Sequence, residues 1–198
     1  KIRAGTSYYA LNGAAYQLVA GTSGIASADL NMDYGVTANS VVRYNSNSGQ
    51  FESFYSGLTL SPAAKVAAYS GRVLVSDTSS TAASVYAFLD NTGTASLLLE
   101  FSTSALLNYT STPSVLFSSQ CTKVLVHGIS GGVFAPYFFH LDYTGLSYTE
   151  LDFPTASVSV LPDPSLSFLS LEDNRVYVRQ RTGAGSQEIV YAIVANTV

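Results

Sequence analysis

The residues best suited to chemistry gather in two places. Asp29, Asn31, Asp33 and Tyr34 lie close together in the connection from Ala20 to Ser40, about 21 residues long. Long loops carried on a rigid sheet are common binding elements. The same insert also reads as a packing or assembly arm. Arg175, Arg179 and Arg181 form the second group, in a chain with 9 Lys and Arg in all. Arg179 and Arg181 share one face of an extended segment, where they suit a carboxylate, a sulfate or an acidic partner. A solvated loop is the plainer reading of that cluster.

The remaining reactive residues form no catalytic set. His127 and His140 have no second His or Cys at ligand spacing, so no metal site is expected. They read as a turn histidine and a strand histidine. Cys121 is the single cysteine, so no internal disulfide exists, and it reads as a partly buried thiol. Gly128-Ile129-Ser130-Gly131-Gly132 has the letters of a nucleophile elbow, but a strand follows it where a helix is needed, so it reads as a turn. Asp90 and Asp142 occupy equivalent places before a glycine turn. A carboxylate there bonds its own turn backbone more readily than it joins a hydrolytic pair or a calcium loop. No catalytic residue and no cofactor are expected.

The elements that must position these residues are strands. Short runs of Val, Tyr, Phe and Leu alternate with Gly, Asn, Asp and Ser turns, and helix spacing is nearly absent. About 14 to 16 strands are expected. Their markers recur. Ser61-Pro62, Thr112-Pro113 and Asp163-Pro164 are 51 residues apart at each step. A basic residue opens an apolar run at Arg72, Lys123 and Arg175, at steps of 51 and 52. Asp90 to Gly93 and Asp142 to Gly145 mark a turn, 52 apart, and Asn45 to Gly49 is a looser version. The repeats run 6–60, 61–111, 112–162 and 163–198, within a single all-β domain. The connections Ser76–Ser84, His127–Ala135 and Arg179–Gln187 are each read as about nine residues. The last repeat has room for three strands, and Lys1-Ile2-Arg3-Ala4 is a spare strand that pairs beside Ile189–Val194 to close a ring.

Four strands in such a repeat is the size of a propeller blade. The chain resembles the β-propeller class, and its four units are similar in size to a hemopexin-like four-bladed disc. The resemblance implies a four-bladed, all-β propeller. Neither the Gly-Gly and Trp pair of Kelch blades nor the WD dipeptide recurs, so no site residue is carried over. The alternatives are two β-sandwich domains of about 100 residues and a viral jelly roll.

Composition limits the function. The chain has 198 residues, 47% of them apolar, 11% charged, and a net charge of −4. That balance argues against a nucleic-acid surface, which needs clustered cations. No apolar run is long enough for a transmembrane helix. Tyrosine is abundant, at 14. Tyr8, Tyr9, Tyr137, Tyr143 and Tyr148 could form a sugar- or protein-binding face. No leader segment is visible, and Asn108 opens a glycosylation tripeptide. The expected function is a non-enzymatic structural or protein–protein interaction module. It would meet a protein partner or other subunits of an assembly, outside the cell, on its surface or in a virion. The alternatives are a glycan-binding, lectin-like propeller and a carboxylate-dependent hydrolase.

Overall fold

The Val-, Tyr- and Leu-rich runs fold as strands, and consecutive strands pair into small meanders. The structure is a computed structural model. It describes residues 1–4, 6–12, 14–91, 94–103, 109–151, 167–172, 175–182 and 185–192; for 167–192, Asn12, Val133 and Phe134 it describes the backbone alone. Every named element among the described residues is a strand. The first sheet joins β1 (Ile2–Ala4), β2 (Ser7–Asn12) and β3 (Ala15–Leu18). The second joins β4 (Ser27–Ala28), β5 (Tyr34–Val36), β6 (Ser40–Asn45) and β7 (Gln50–Ser56). The third joins β8 (Lys65–Tyr69), β9 (Arg72–Thr78), β10 (Ala83–Asn91) and β11 (Thr94–Ser102). The fourth joins β12 (Ser114–Phe117), β13 (Lys123–Ser130), β14 (Val133–Asp142) and β15 (Ser147–Leu151). The fifth joins β16 (Ser167–Glu172), β17 (Arg175–Thr182) and β18 (Gly185–Ala192). The chain is thus all-β, built of antiparallel sheets of three or four strands. Sequential meanders are unlike the Greek-key crossovers of a jelly roll.

The repeat markers fall at fixed places in these sheets. Arg72, Lys123 and Arg175 each open the second strand of a sheet, and Pro62 and Pro113 precede a first strand. Pro164 lies outside the described residues. Three expectations need correction. The stretch 6–60 holds two sheets, not one. Its long connection hides β4 and β5, which at two and three residues are too short to show alternation. The other connections are shorter than nine residues because polar strand ends stay paired. Only Gly131 and Gly132, both at positive φ, separate β13 from β14. Likewise β17 runs to Thr182 and β18 starts at Gly185. Finally, Ile2–Ala4 is the edge strand of its own sheet, registered on β2 with Ile2 opposite Tyr9.

The chain divides into two compact units, Lys1–Asp77 with Val85–Leu97, and Thr78–Ser84 with Leu98–Val198. In the first unit the second sheet is covered on both faces. Tyr8, Val19, Val42 and Phe51 form one core, with Tyr8 and Phe51 edge to face at 5.8 Å. Tyr34, Val36 and Val41 pack with Val66, Val73, Val75 and Phe88 in the other. A bulge opposite Val41 and Val42 admits one extra residue, and both Phe54 and Tyr55 reach this second core. Gly21 pins the passage from the first sheet to the second: its φ is +73°, and a Cβ there would lie 2.3 Å from the Phe51 carbonyl oxygen.

In the second unit Val124, Leu125 and Val126 are all fully buried. A continuous apolar run of this kind marks a strand covered on both faces. Phe101 packs on Tyr137 and Phe139 at 5.4 and 4.7 Å. Tyr109 is buried, and its hydroxyl donates to the Ala135 carbonyl at 3.0 Å.

Candidate functional site

The turn from β4 to β5 is organised by one carboxylate. Asp29 is buried, and its Oδ1 accepts from the amides of Asp33 at 2.8 Å and Tyr34 at 2.7 Å. Its Oδ2 accepts from the Asn31 amide at 3.0 Å. An aspartate that satisfies three loop amides fixes the loop. Asp29 therefore acts as the frame of this loop, with Leu30 fully exposed at its tip. Asn31 and Asp33 are carried on that frame.

A cleft of about 420 Å³ opens beside the loop. Asp29, Asn31, Asp33 and Tyr34 all line it, so the structure brings this predicted group together. Behind Tyr34 lies an ion pair that joins two sheets. Arg43 on β6 donates from Nη1 to both carboxylate oxygens of Asp90 on β10, at 3.0 and 2.8 Å. The Tyr34 hydroxyl donates to Asp90 Oδ2 at 2.7 Å. Burial and the bond to Asp90 push the Tyr34 phenol above its ordinary range. The bond to Asp90 outweighs burial at Arg43 and raises the guanidinium further. Asp90 thus reaches across to another sheet; Thr92 and Gly93 of its own turn, where the sequence places a local bond, lie outside the described residues.

The rim is polar and aromatic. Tyr69, Ser70 and Gly71 supply the β8–β9 turn, with Ser70 and Gly71 at positive φ. The Gly71 carbonyl accepts from the Asp90 amide at 2.8 Å, tying the turn to β10. Tyr69 is 48% exposed. Lys1 pairs with Asp33 and sits 4.4 Å above the Tyr44 ring. Among the described residues, no three His, Cys, Asp or Glu side chains come close enough to hold a metal ion.

A second feature lies on the first sheet. Register places Ile2, Tyr9 and Leu18 in one row, and Leu11 and Tyr16 in the next, on the same face. Ile2, Leu11, Tyr16 and Leu18 are all exposed. Tyr8 points to the opposite face and into the core. The expected tyrosine face is therefore divided, and Tyr143 is engaged by donating to the Cys121 carbonyl at 2.8 Å.

Arg175, Arg179 and Arg181 lie at alternate positions of β17, in the second unit. Arg175 is in register with Glu172, and Arg179 with Glu188. They are strand residues, not a loop. Asn108 lies outside the described residues. His127 is a buried residue of β13 rather than a turn residue, and burial pushes it down to about 3. His140, opposite Lys123 in register, is lowered by burial and then by that cation. Cys121 is buried and in no disulfide, and Gly128–Gly132 is the end of β13 and its hairpin turn. Asp142 accepts from the Thr144 amide at 2.9 Å, and turn amides hold it below the usual carboxylate range.

Arg43, Asp90 and Tyr69 were missed as site residues. Arg43 offered a signal: one cation inside the apolar run Val41 to Tyr44 needs a counter-charge. No family model matches the chain, and no curated protein matches it in sequence. No helix among the described residues is long and apolar enough to cross a membrane.

Proposed function

We propose that the chain is a non-catalytic interaction module of propeller-blade sheets, which docks a protein partner within an assembly at a cell surface or in a virus particle. The observation that carries this reading is the open face of Ile2, Tyr9, Leu11, Tyr16 and Leu18. In the first unit the second sheet is sandwiched between neighbours, whereas this apolar face of the first sheet stays open. Contiguous exposed apolar surface of this kind marks an interaction site. A further β-sheet, laid face to face by a partner subunit, fits it best, since that is how the neighbouring sheets bury theirs. Blade-like stacking is supported by first strands that lie near one another: β4, with its neighbour β5, lies against β8, and β12 against β16.

A hydrolase is less well supported. Glycoside hydrolysis needs two available carboxylates. Of the three near the cleft, Asp29 holds the loop and Asp90 holds Arg43, which leaves Asp33.

Light scattering on the purified chain and on a Leu11→Ser/Leu18→Ser variant tests the docking reading. The parent is expected to self-associate or to take up a partner, and the variant to remain a 20.9 kDa monomer. A parent that stays monomeric and binds no component of its native assembly would refute it.

A further inference from the structure

We infer that the cleft between the β4–β5 and β8–β9 turns is a saccharide subsite, taking one ring of a neutral glycan. The inference stands apart from the docking face, which it does not use. Four features converge. The cleft, at about 420 Å³, falls in the small-molecule range of about 300–1,000 Å³. Its floor is braced by hydrogen bonds and carries about one net negative charge: Arg43 and Asp90 cancel each other, Tyr34 is bonded to Asp90, and loop amides hold the Asp29 carboxylate. A floor of this kind disfavours an anionic ligand and costs little to preorganise.

Its rim carries the groups a polyhydroxylated ring needs. Asp33, with a side chain 48% exposed, offers its Oδ2 as an acceptor while Oδ1 is paired with Lys1. The Asn31 amide offers a donor and an acceptor, and neither end has a partner among the described residues. Arg43 uses Nη1 on Asp90, while its side chain is 32% exposed, so its other donors remain available to a hydroxyl. Tyr69 presents an exposed ring on the opposite rim, the apolar platform on which C–H bonds of a pyranose can stack. Vicinal hydroxyls need acceptor and donor side by side, and the loop framed by Asp29 holds Asn31 and Asp33 two residues apart.

The test is a printed array of neutral and sialylated oligosaccharides, followed by calorimetry with the best binder. A neutral glycan is expected to bind. Tyr69→Ala is expected to weaken it at least about tenfold, and Asn31→Ala about three- to tenfold, while Tyr69→Phe stays within about twofold. Tyr69 and Asn31 lie outside both cores, so these variants should fold. The Leu11→Ser/Leu18→Ser variant should bind the glycan unchanged, which keeps failure of the docking face distinct from failure of the cleft. Three results would overturn the inference: no saccharide bound at roughly 10 mM, binding confined to sialylated glycans, or affinity indifferent to Tyr69→Ala.

Discussion

Removing one partner of the Arg43–Asp90 pair should cost more than removing both. The Asp90 side chain is 9% exposed and that of Arg43 32%. In Asp90→Ala, Arg43 loses two charged hydrogen bonds but is partly rehydrated, and the buried Tyr34 hydroxyl loses its acceptor. A lost buried hydroxyl bond costs about 1–3 kcal/mol, and a broken buried pair about 3–5 kcal/mol before discounting for water. With Arg43 one-third exposed, the expected total is about 3 kcal/mol. Arg43→Met strands a carboxylate at 9% exposure, for about 2–3 kcal/mol. Tyr34→Phe removes one bond, about 1 kcal/mol. The double variant Arg43→Met/Asp90→Leu leaves no buried charge and should cost about 1–2 kcal/mol, well below the sum of the singles. Urea titrations of all five proteins at pH 7 measure this. Additive losses, or an Asp90→Ala loss below about 0.5 kcal/mol, would refute the claim that the pair ties the two sheets.

Two further stability predictions concern the second unit. A Cβ on Gly128 would lie 2.5 Å from a Tyr109 ring carbon, and the ring cannot retreat without straining its bond to Ala135; Gly128→Ala should therefore cost about 3 kcal/mol, yet almost nothing when added to Tyr109→Ala, as read by the same titrations. His127, held at about 3 against an ordinary 6.5, stays neutral in the fold while the unfolded chain takes up a proton, so stability should fall as pH drops from about 6.5 towards 3, by up to about 1.4 kcal/mol per unit. His127→Gln should flatten that slope; an unchanged slope between pH 6.5 and 4.5 would show that another group sets it.

Strands with long apolar runs were legible, and short ones were not. Val73–Val75 and Val124–Val126 announce covered strands because every residue in them is buried. The basic residue ahead of each run stays put because a strand begins there. β4 and β5 give no such signal: they are held by Asp29, by Gly35 under Val42, and by the sheet they join. Their loop was found through its polar residues, but the inward role of Asp29 depends on where the backbone amides turn. The Arg43–Asp90 pair spans 47 residues and joins two sheets, so it follows from how strands stack, which local spacing does not encode. Tyrosine shows the same limit. Tyr8 and Tyr109 are buried and Tyr16 and Tyr69 exposed, and composition cannot sort them.

Asp90 and Asp142 show how one motif serves two ends. Both stand near the end of the third strand of a sheet, three residues before a glycine. Asp142 keeps its carboxylate on its own turn, with the Thr144 amide at 2.9 Å. Asp90 sends its carboxylate to Arg43 and Tyr34. A turn carboxylate can fold back on local amides, and one that faces a cation in a stacked sheet gains a charge-assisted, two-oxygen contact as well. The cleft therefore arises where the repeat is broken on the opposite side, by the basic residue at position 43 and the short strand bearing Tyr34. It is the stacking partner, more than the repeat itself, that turned a structural turn residue into the floor of a site.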